Sequence, residues 1–423
     1  MAQKHIAIDL PGTLSEWRKM AGNETIPAPS DARLKAMTAE EQVALHIGEH
    51  PINLSLRDLS GWPSASAMTR AHFLTTRILW KFVTRDELDK KLIDKFPKTL
   101  TSCVETHFKD NDLDFTLYLN DLDLRGGIQP PAGEATYLGK YTSIRHEQLA
   151  IRALPIAAPT AITSPPGGTR SHGGPVVPGL DGPADDDDSG EDEISSLSTA
   201  ERTHSSASLH EVISRHSDTS ALTPDEWSRS EGEDQVNVAL VGFLSTLAMT
   251  CKRAKLDWTH LKKRFDFSLG HANIRSINDG SLRARHTGDI LAILEVKPIR
   301  LIEKGQATLM QMGLEMMTHI LDCEEKKRAK KRYWMLSQHF DEIYFTWAEI
   351  EDGYITYLLH GHGGHDTLSF LRLKFAGPFE IGKAGDMAKL SHLVLFLTVQ
   401  ESDDFTAHIS RPYLGTENQE EAS

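Results

Sequence analysis

The chain has 423 residues but only three cysteines, Cys103, Cys251 and Cys323, far apart and odd in number. That excludes a disulfide framework and a cysteine-based zinc site, and fits a reducing compartment. Long apolar runs are also missing. No stretch approaches the ~20 residues a helix needs to cross a bilayer. The opening residues, MAQKHIAIDLPG, lack the basic start and apolar core of a secretory signal. The expectation is an intracellular protein, nuclear or cytoplasmic, with no membrane partner. Hydrophobic residues still make up 39% of the chain, enough to build at least one core.

Positive charge is in deficit, with a formal net charge of −14, but the deficit is local. Residues 151–234 carry 5 Lys and Arg against 16 Asp and Glu, whereas residues 1–150 carry 18 against 20 and residues 235–423 carry 23 against 24. Within 251–333 the balance reverses to 18 basic against 10 acidic residues. A basic segment is the electrostatic footprint of a phosphate binder, so nucleic acid is a candidate partner through 251–333.

The acidic middle, including APTAITSPPGGTRSHGGPVVPGLDGPADDDDSGEDE, is rich in Pro, Gly, Ser and Asp and has no apolar periodicity. Such a segment buries too little to offset its ordering entropy, so 151–232 is expected to be a disordered linker. Before it, residues 1–150 are expected to form a mostly helical accessory segment. Thr38-Ala-Glu-Glu41 has the form of a capping box opening a helix to about His50. The run from Ser64 to Phe96 shows mixed i+3/i+4 apolar spacing, and Phe115–Leu124 resembles a short strand. Residues 406–423 are expected to be a flexible tail.

After the linker the pattern changes. Val236, Ala239, Leu240, Phe243, Leu244 and Leu247 make the apolar face of a helix. FDFSLGHANIRSI, SLRARH and ILAILEVK then follow, separated by NDG and TGD turns that favour antiparallel strands. A helix covers KGQATLMQMGLEMMTHILDCEEKKRAKKR, and RYWMLSQHFDEIYFTWAEI and DGYITYLLHG are further strand candidates. The expected order is α-β-β-β-α-β, a mixed α/β core with helices on a central sheet. KKRAKKR, Lys326 to Arg332, reads either as a nuclear localisation or phosphate-binding patch or as a solvated helix end. HGHGGHD, with His360, His362 and His365, reads as a loop.

The third of these strands ends unusually. Ile290 to Leu294 are all aliphatic, yet Glu295 and Lys297 follow two residues apart and so point to one face of the strand. A carboxylate beside an ammonium at a strand end is either a solvated ion pair or part of a catalytic site. Four segments in order resemble one family: VNVALVGFL at Val236, SLRARHTG at Ser281, ILAILEVKP at Ile290 and MQMGLEM at Met310. They are similar to the PD-(D/E)XK nuclease-like domain of many fungal proteins, a branch of the restriction-endonuclease-like superfamily. The resemblance spans residues 233–405.

It implies a Mg²⁺- or Mn²⁺-dependent phosphodiesterase acting on nucleic acid, in which carboxylates on neighbouring strands supply the hard oxygen ligands such cations need. On this likeness Glu295 is a metal ligand, Lys297 the catalytic lysine and Gln311 a supporting residue on the next helix. Where the family has T-D-G, the chain has His286-Thr287-Gly288, so the second ligand is expected from Asp289 or, alternatively, from Asp279. Glu315 stands where the family has a second glutamine. The alternative implied is a nuclease fold that has lost catalysis and serves as a nucleic-acid or protein interaction module.

Overall fold

The computed structural model describes residues 9–28, 38–39, 45–60, 62–63, 68–91, 97–110, 112–125, 137–154, 224–330, 332–361 and 368–410. The chain divides into a large compact unit, residues 1–160 with 228–423, and a small one, residues 161–227. Of the small unit only residues 224–227 are described, so nearly all of the acidic segment lies outside the described residues, as do residues 40–44 of the helix expected to His50 and His362 and His365; residues 45–50 are turn and loop and not helix, with His46 and Gly48 at positive φ.

The N-terminal stretch is mostly helical, but it also supplies a strand. Helix α1 (Leu14–Asn23) opens on a reciprocal cap between Thr13 and Glu16. A short helix, α2 (Arg70–Leu74), is followed by a turn through Arg77, whose φ of 53° leads the chain into strand β1 (Ile78–Val83). Spacing alone had suggested that this whole run was helical. Four residues of β1, Ile78, Leu79, Trp80 and Val83, are buried, because the strand lies in a sheet. Helices α3 (Arg85–Lys91), α4 (Lys98–Asp110), α5 (Leu113–Arg125) and α6 (Thr142–Ala153) follow. Helix α5 replaces the strand expected at Phe115–Leu124. Phe115, Tyr118 and Leu122 form its buried stripe, and the Asp112 carboxylate accepts the Phe115 N–H to cap it.

Helix α7 (Pro224–Thr250) leads into β2 (Leu256–Thr259), the hairpin β3 (Lys263–Leu269) and β4 (Ala272–Asn278), then β5 (Gly280–Ala284) and β6 (Ile290–Lys297). Helix α8 (Leu301–Glu325) crosses over to β7 (Tyr333–His339). The chain then continues through β8 (Glu342–Ile350), α9 (Tyr354–His360), β9 (Leu371–Glu380) and α10 (Ala384–Ser410). RYWMLSQHFDEIYFTWAEI is thus two strands, turning at Phe340 (φ 58°). The segment DGYITYLLHG is a helix, because Tyr354, Tyr357 and Leu358 bury at helical spacing and both tyrosine hydroxyls donate to the Thr75 and Thr76 carbonyls.

Among the described residues a mixed seven-stranded sheet runs in the order β1-β9-β8-β7-β6-β5-β2, with β1/β9 and β6/β7 parallel and the other pairs antiparallel. The β3–β4 hairpin stands apart as its own two-stranded sheet over α8. Setting it aside leaves α7-β2-β5-β6-α8-β7 around the centre. Strand β6 is buried along nearly its whole length, as a strand covered on both faces must be, and this explains its unbroken aliphatic run. Leu294, Val296 and Leu336 face a core shared with α7 and α10. Ile293, Met335, Met312 and Met316 form the opposite core beneath α8. No helix among the described residues is long and apolar enough to cross a membrane.

Two predictions follow from these cores. Trp80 is 2% exposed and sits edge-on to Phe375 of β9 at 5.5 Å. Trp80→Ala should cost about 3–5 kcal/mol and lower a single cooperative denaturation transition. A separate early transition, with the rest of the chain unaffected, would show that β1 is not integral to the sheet. His319 on α8 is fully buried between the Phe265 and Tyr333 rings, and burial, then Lys330 and Lys326, push its pKa down to about 3. It is neutral in the folded protein, while the unfolded chain takes up the proton below about pH 6.5. Stability is therefore lost as pH falls below that value. Between pH 7.5 and 5 the wild type should lose about 2 kcal/mol more than His319→Phe in chemical denaturation; equal losses would refute a neutral, buried imidazole.

Candidate active site

Glu295 lies inside this architecture with no exposed surface. Side chains alternate along β6, so Glu295 joins Ile293 on the α8 face while Val296 turns to the other core. Its Oε1 receives two donors: the Lys297 ammonium at 2.5 Å and the Gln311 amide of α8 at 2.7 Å. The same Gln311 amide reaches Oε1 of Glu315, one turn further along, at 2.9 Å. The outer oxygens, Oε2 of Glu295 and Oε2 of Glu315, are buried without a hydrogen-bond partner. Glu295, Lys297 and Gln311 are thus brought together.

Asp279 joins them and Asp289 does not. Asp279 occupies the single residue between the end of β4 and the start of β5. Its N–H donates to the Leu294 carbonyl at 3.0 Å, and its carboxylate accepts the Val296 N–H at 3.0 Å, so it is pinned to β6 on both sides of Glu295. Asn237 of α7 donates to its carbonyl at 2.9 Å. Gly280 permits this corner, because a Cβ there would stand 2.5 Å from the Thr259 carbonyl oxygen of β2. Asp289 precedes β6 and lies six residues before Glu295, roughly 20 Å along an extended strand. There it pairs with Arg328 and accepts from the Thr287 hydroxyl. Thr287 and Asp289 therefore belong to the opposite end of the strand.

Other residues complete the cluster. Glu233 of α7 lies 3.6 Å from the Lys297 ammonium, and Lys262, just before β3, lies 3.1 Å from Asp279. On β7 the register sets Ser337 beside Glu295 and His339 beside Lys297. The His339 Nε2 and the Ser337 hydroxyl share a hydrogen bond of 3.1 Å. Neither Glu233 nor Lys262 belongs to a motif; only the folded chain unites them with β6. Ser337 and His339 stand at i and i+2 in the polar end, Ser337-Gln338-His339, of a strand that begins apolar.

The electrostatics follow from burial. Burial, then the Glu315 and Asp279 carboxylates, push Glu295 well above the ordinary carboxylate range. Burial also pushes Glu315 up to about 8, against the opposing pull of Lys297 and Gln311. Burial opposes the Lys297 charge, but Glu295, Glu233 and Asp279 outweigh it and hold the ammonium above its ordinary value. His339 is pushed down to about 3 by burial and then by Lys297, so it is neutral. Glu233, Asp279, Glu295 and Glu315 thus face two ammonium groups, Lys262 and Lys297, leaving a formal balance of −2 when all are ionised.

Outside this cluster, much of the charge of 251–333 is paired within the fold. Arg253 meets Asp403, Arg264 and Arg275 share Asp266, Arg285 meets Asp257, and Arg300 meets Asp341.

Charge substitutions test the cluster. Glu315→Gln preserves shape and replaces a carboxyl that burial keeps largely protonated in the fold but that ionises when the chain unfolds. It should stabilise the protein by about 1–2 kcal/mol at pH 7.5. Lys297→Met leaves Glu295 uncompensated and should cost about 3–5 kcal/mol. Urea denaturation reads both, and a destabilising Glu315→Gln or a stabilising Lys297→Met would refute the carboxylate excess.

No family model matches the chain, and neither the curated proteins nor the solved structures offer a match, so what this site does must be argued from its own geometry.

Proposed function

We propose that the chain is a metal-dependent phosphodiesterase of the PD-(D/E)XK nuclease type, acting on nucleic acid and built on a restriction-endonuclease-like core. The observation that carries this reading is Asp279 pinned beside Glu295, with Lys297 two residues on and Gln311 arriving from the following helix. On this reading Asn278-Asp279-Gly280, not His286-Thr287-Gly288, corresponds to the aspartate-glycine element of the family. The order α7-β2-β5-β6-α8-β7 supports the same core.

A divalent cation fits the chemistry of the cluster. One oxygen of Glu295 is buried without a donor, and with all four carboxylates ionised the cluster is short of the two positive charges that one Mg²⁺ or Mn²⁺ would bring. Asp279 and Glu295 would hold it, since both are hard oxygen donors. When bound, such a cation polarises a phosphoryl oxygen of the substrate. The chain's own groups do the rest. Gln311 donates to Glu295 and fixes which oxygen it presents. The Lys297 ammonium, steered by Glu295 and Glu233, offers protons to the negative charge that develops on the phosphoryl oxygens.

One observation favours a second reading, a retired nuclease fold used for interaction. Lys297 lies directly against Glu295, and among the described residues no three His, Cys, Asp or Glu side chains are arranged to hold a metal. Cleavage of fluorescent DNA and RNA oligonucleotides with Mg²⁺ or Mn²⁺ separates the two. Cleavage should fall by about 10²–10³-fold in Asp279→Asn, Glu295→Gln and Lys297→Met. Cleavage undiminished in all three would sink the catalytic assignment. A wild type that binds nucleic acid without cutting it would establish the second reading.

A further inference from the structure

A cavity of about 790 Å³ lies away from these carboxylates. Its walls are the segment after α8, the start of β6 at Leu291, Trp334 of β7, Glu349 of β8, which already accepts from Lys374, and the end of α10. Glu295 sits on the α8 face near the other end of β6, so the two sites are separate.

Part of the wall is already satisfied. Glu401 accepts from the Trp334 indole N–H at 2.8 Å and from Lys330 at 2.7 Å, and Lys330 also donates to the Leu291 carbonyl at 2.9 Å. Arg328 is committed to Asp289. What remains defines the ligand. Lys327 and Arg332 line the space, and no ion pair is found for either among the described residues. Gln400 lines it too, with a buried Oε1 that receives no hydrogen bond. Half-buried Phe405 supplies flat apolar surface and Asp404 a further acceptor, while Trp334 is almost wholly buried behind the wall's polar groups it binds.

A complementary molecule must bring an anion for the two cations, a planar ring for Phe405 and N–H donors for Gln400 and Asp404. Inorganic phosphate meets the first demand alone, and a fatty acid lacks the donors. A purine nucleotide meets all three, and it fits in a cavity of this volume. We propose that this cavity binds a nucleoside phosphate, with the phosphates on Lys327 and Arg332 and the base edge on Gln400. This assigns a ligand chemistry to part of the KKRAKKR segment and does not depend on the nuclease reading.

Calorimetric titration of the full chain tests it, with EDTA present to keep divalent cations from the carboxylate cluster. ADP or GDP should bind saturably, with adenosine and inorganic pyrophosphate each at least about tenfold weaker. The double variant Lys327→Ala/Arg332→Ala alters exposed or half-exposed side chains and should weaken nucleotide binding by about tenfold or more. Gln400→Leu should weaken the nucleotide but leave pyrophosphate unchanged, and Glu295→Gln should leave both unchanged. The proposal is overturned if neither nucleotide saturates by about 1 mM, if pyrophosphate binds as tightly as ADP and GDP, or if binding is lost in Glu295→Gln but kept in the double variant.

Discussion

A carboxylate with no exposed surface in a central β-strand is the constraint around which the rest of this molecule is arranged. An uncompensated buried charge costs several kcal/mol, so Glu295 is tolerable only with partners in place. One partner is local, since the two-residue period of the strand sets Lys297 beside it. The others come from elsewhere: Gln311 from the crossover helix, and Glu233 through its hold on Lys297 from the helix before the sheet. Both helices must be docked before the charge is balanced, and even then one oxygen stays unpaired. A fold selected for stability alone would place an aliphatic residue here. Buried, repelling carboxylates with raised pKa values are instead characteristic of sites that do chemistry.

The same strand shows why the N-terminal region belongs with the sheet. β6 and β7 can be buried on both faces only in a sheet wide enough to carry two helical layers. β1 widens it by pairing parallel with β9, covering an edge that would otherwise expose unpaired backbone groups. The hydroxyls of Tyr354 and Tyr357 on α9 then bond the carbonyls that lead into β1. Residues far apart in sequence are thus committed to one another by backbone hydrogen bonds, the most direct way to make two segments a single structure.

How much of this was legible depends on where each residue's partner lies. Glu295 and Lys297 could be paired because a strand has a two-residue period, whereas Gln311 entered only through the family resemblance. Asp279 and Asp289 could not be ranked from spacing, since proximity in sequence favoured Asp289, while a corner between hairpin and sheet brings Asp279 back onto β6. Alternation also failed to separate the β3–β4 hairpin from the strands of the main sheet. Half-buried strands share one pattern whatever they pair with. β1 was hidden for the opposite reason, lying within a run whose spacing suits a helix until Arg77 takes a positive φ. Glu233 and Lys262 had no local signal, because single charged residues on a helix or in a loop are usually solvated.

Asp289 illustrates how one strand can organise two distant places. At its finish, β6 gathers carboxylates around Glu295; at its start, Asp289 grips Arg328 just beyond the end of α8. That grip holds part of a strongly basic segment against the sheet, so its remaining cations line a cavity and do not simply trail into solvent. Helix α8 spans the interval between the two places, carrying Gln311 and Glu315 in the middle and leading into the basic segment at its end. The acid that nearness in sequence favoured as the partner of Glu295 is therefore employed elsewhere. Its partner is a cation that, left free, would add charge to the cavity and loosen the connection between helix and strand.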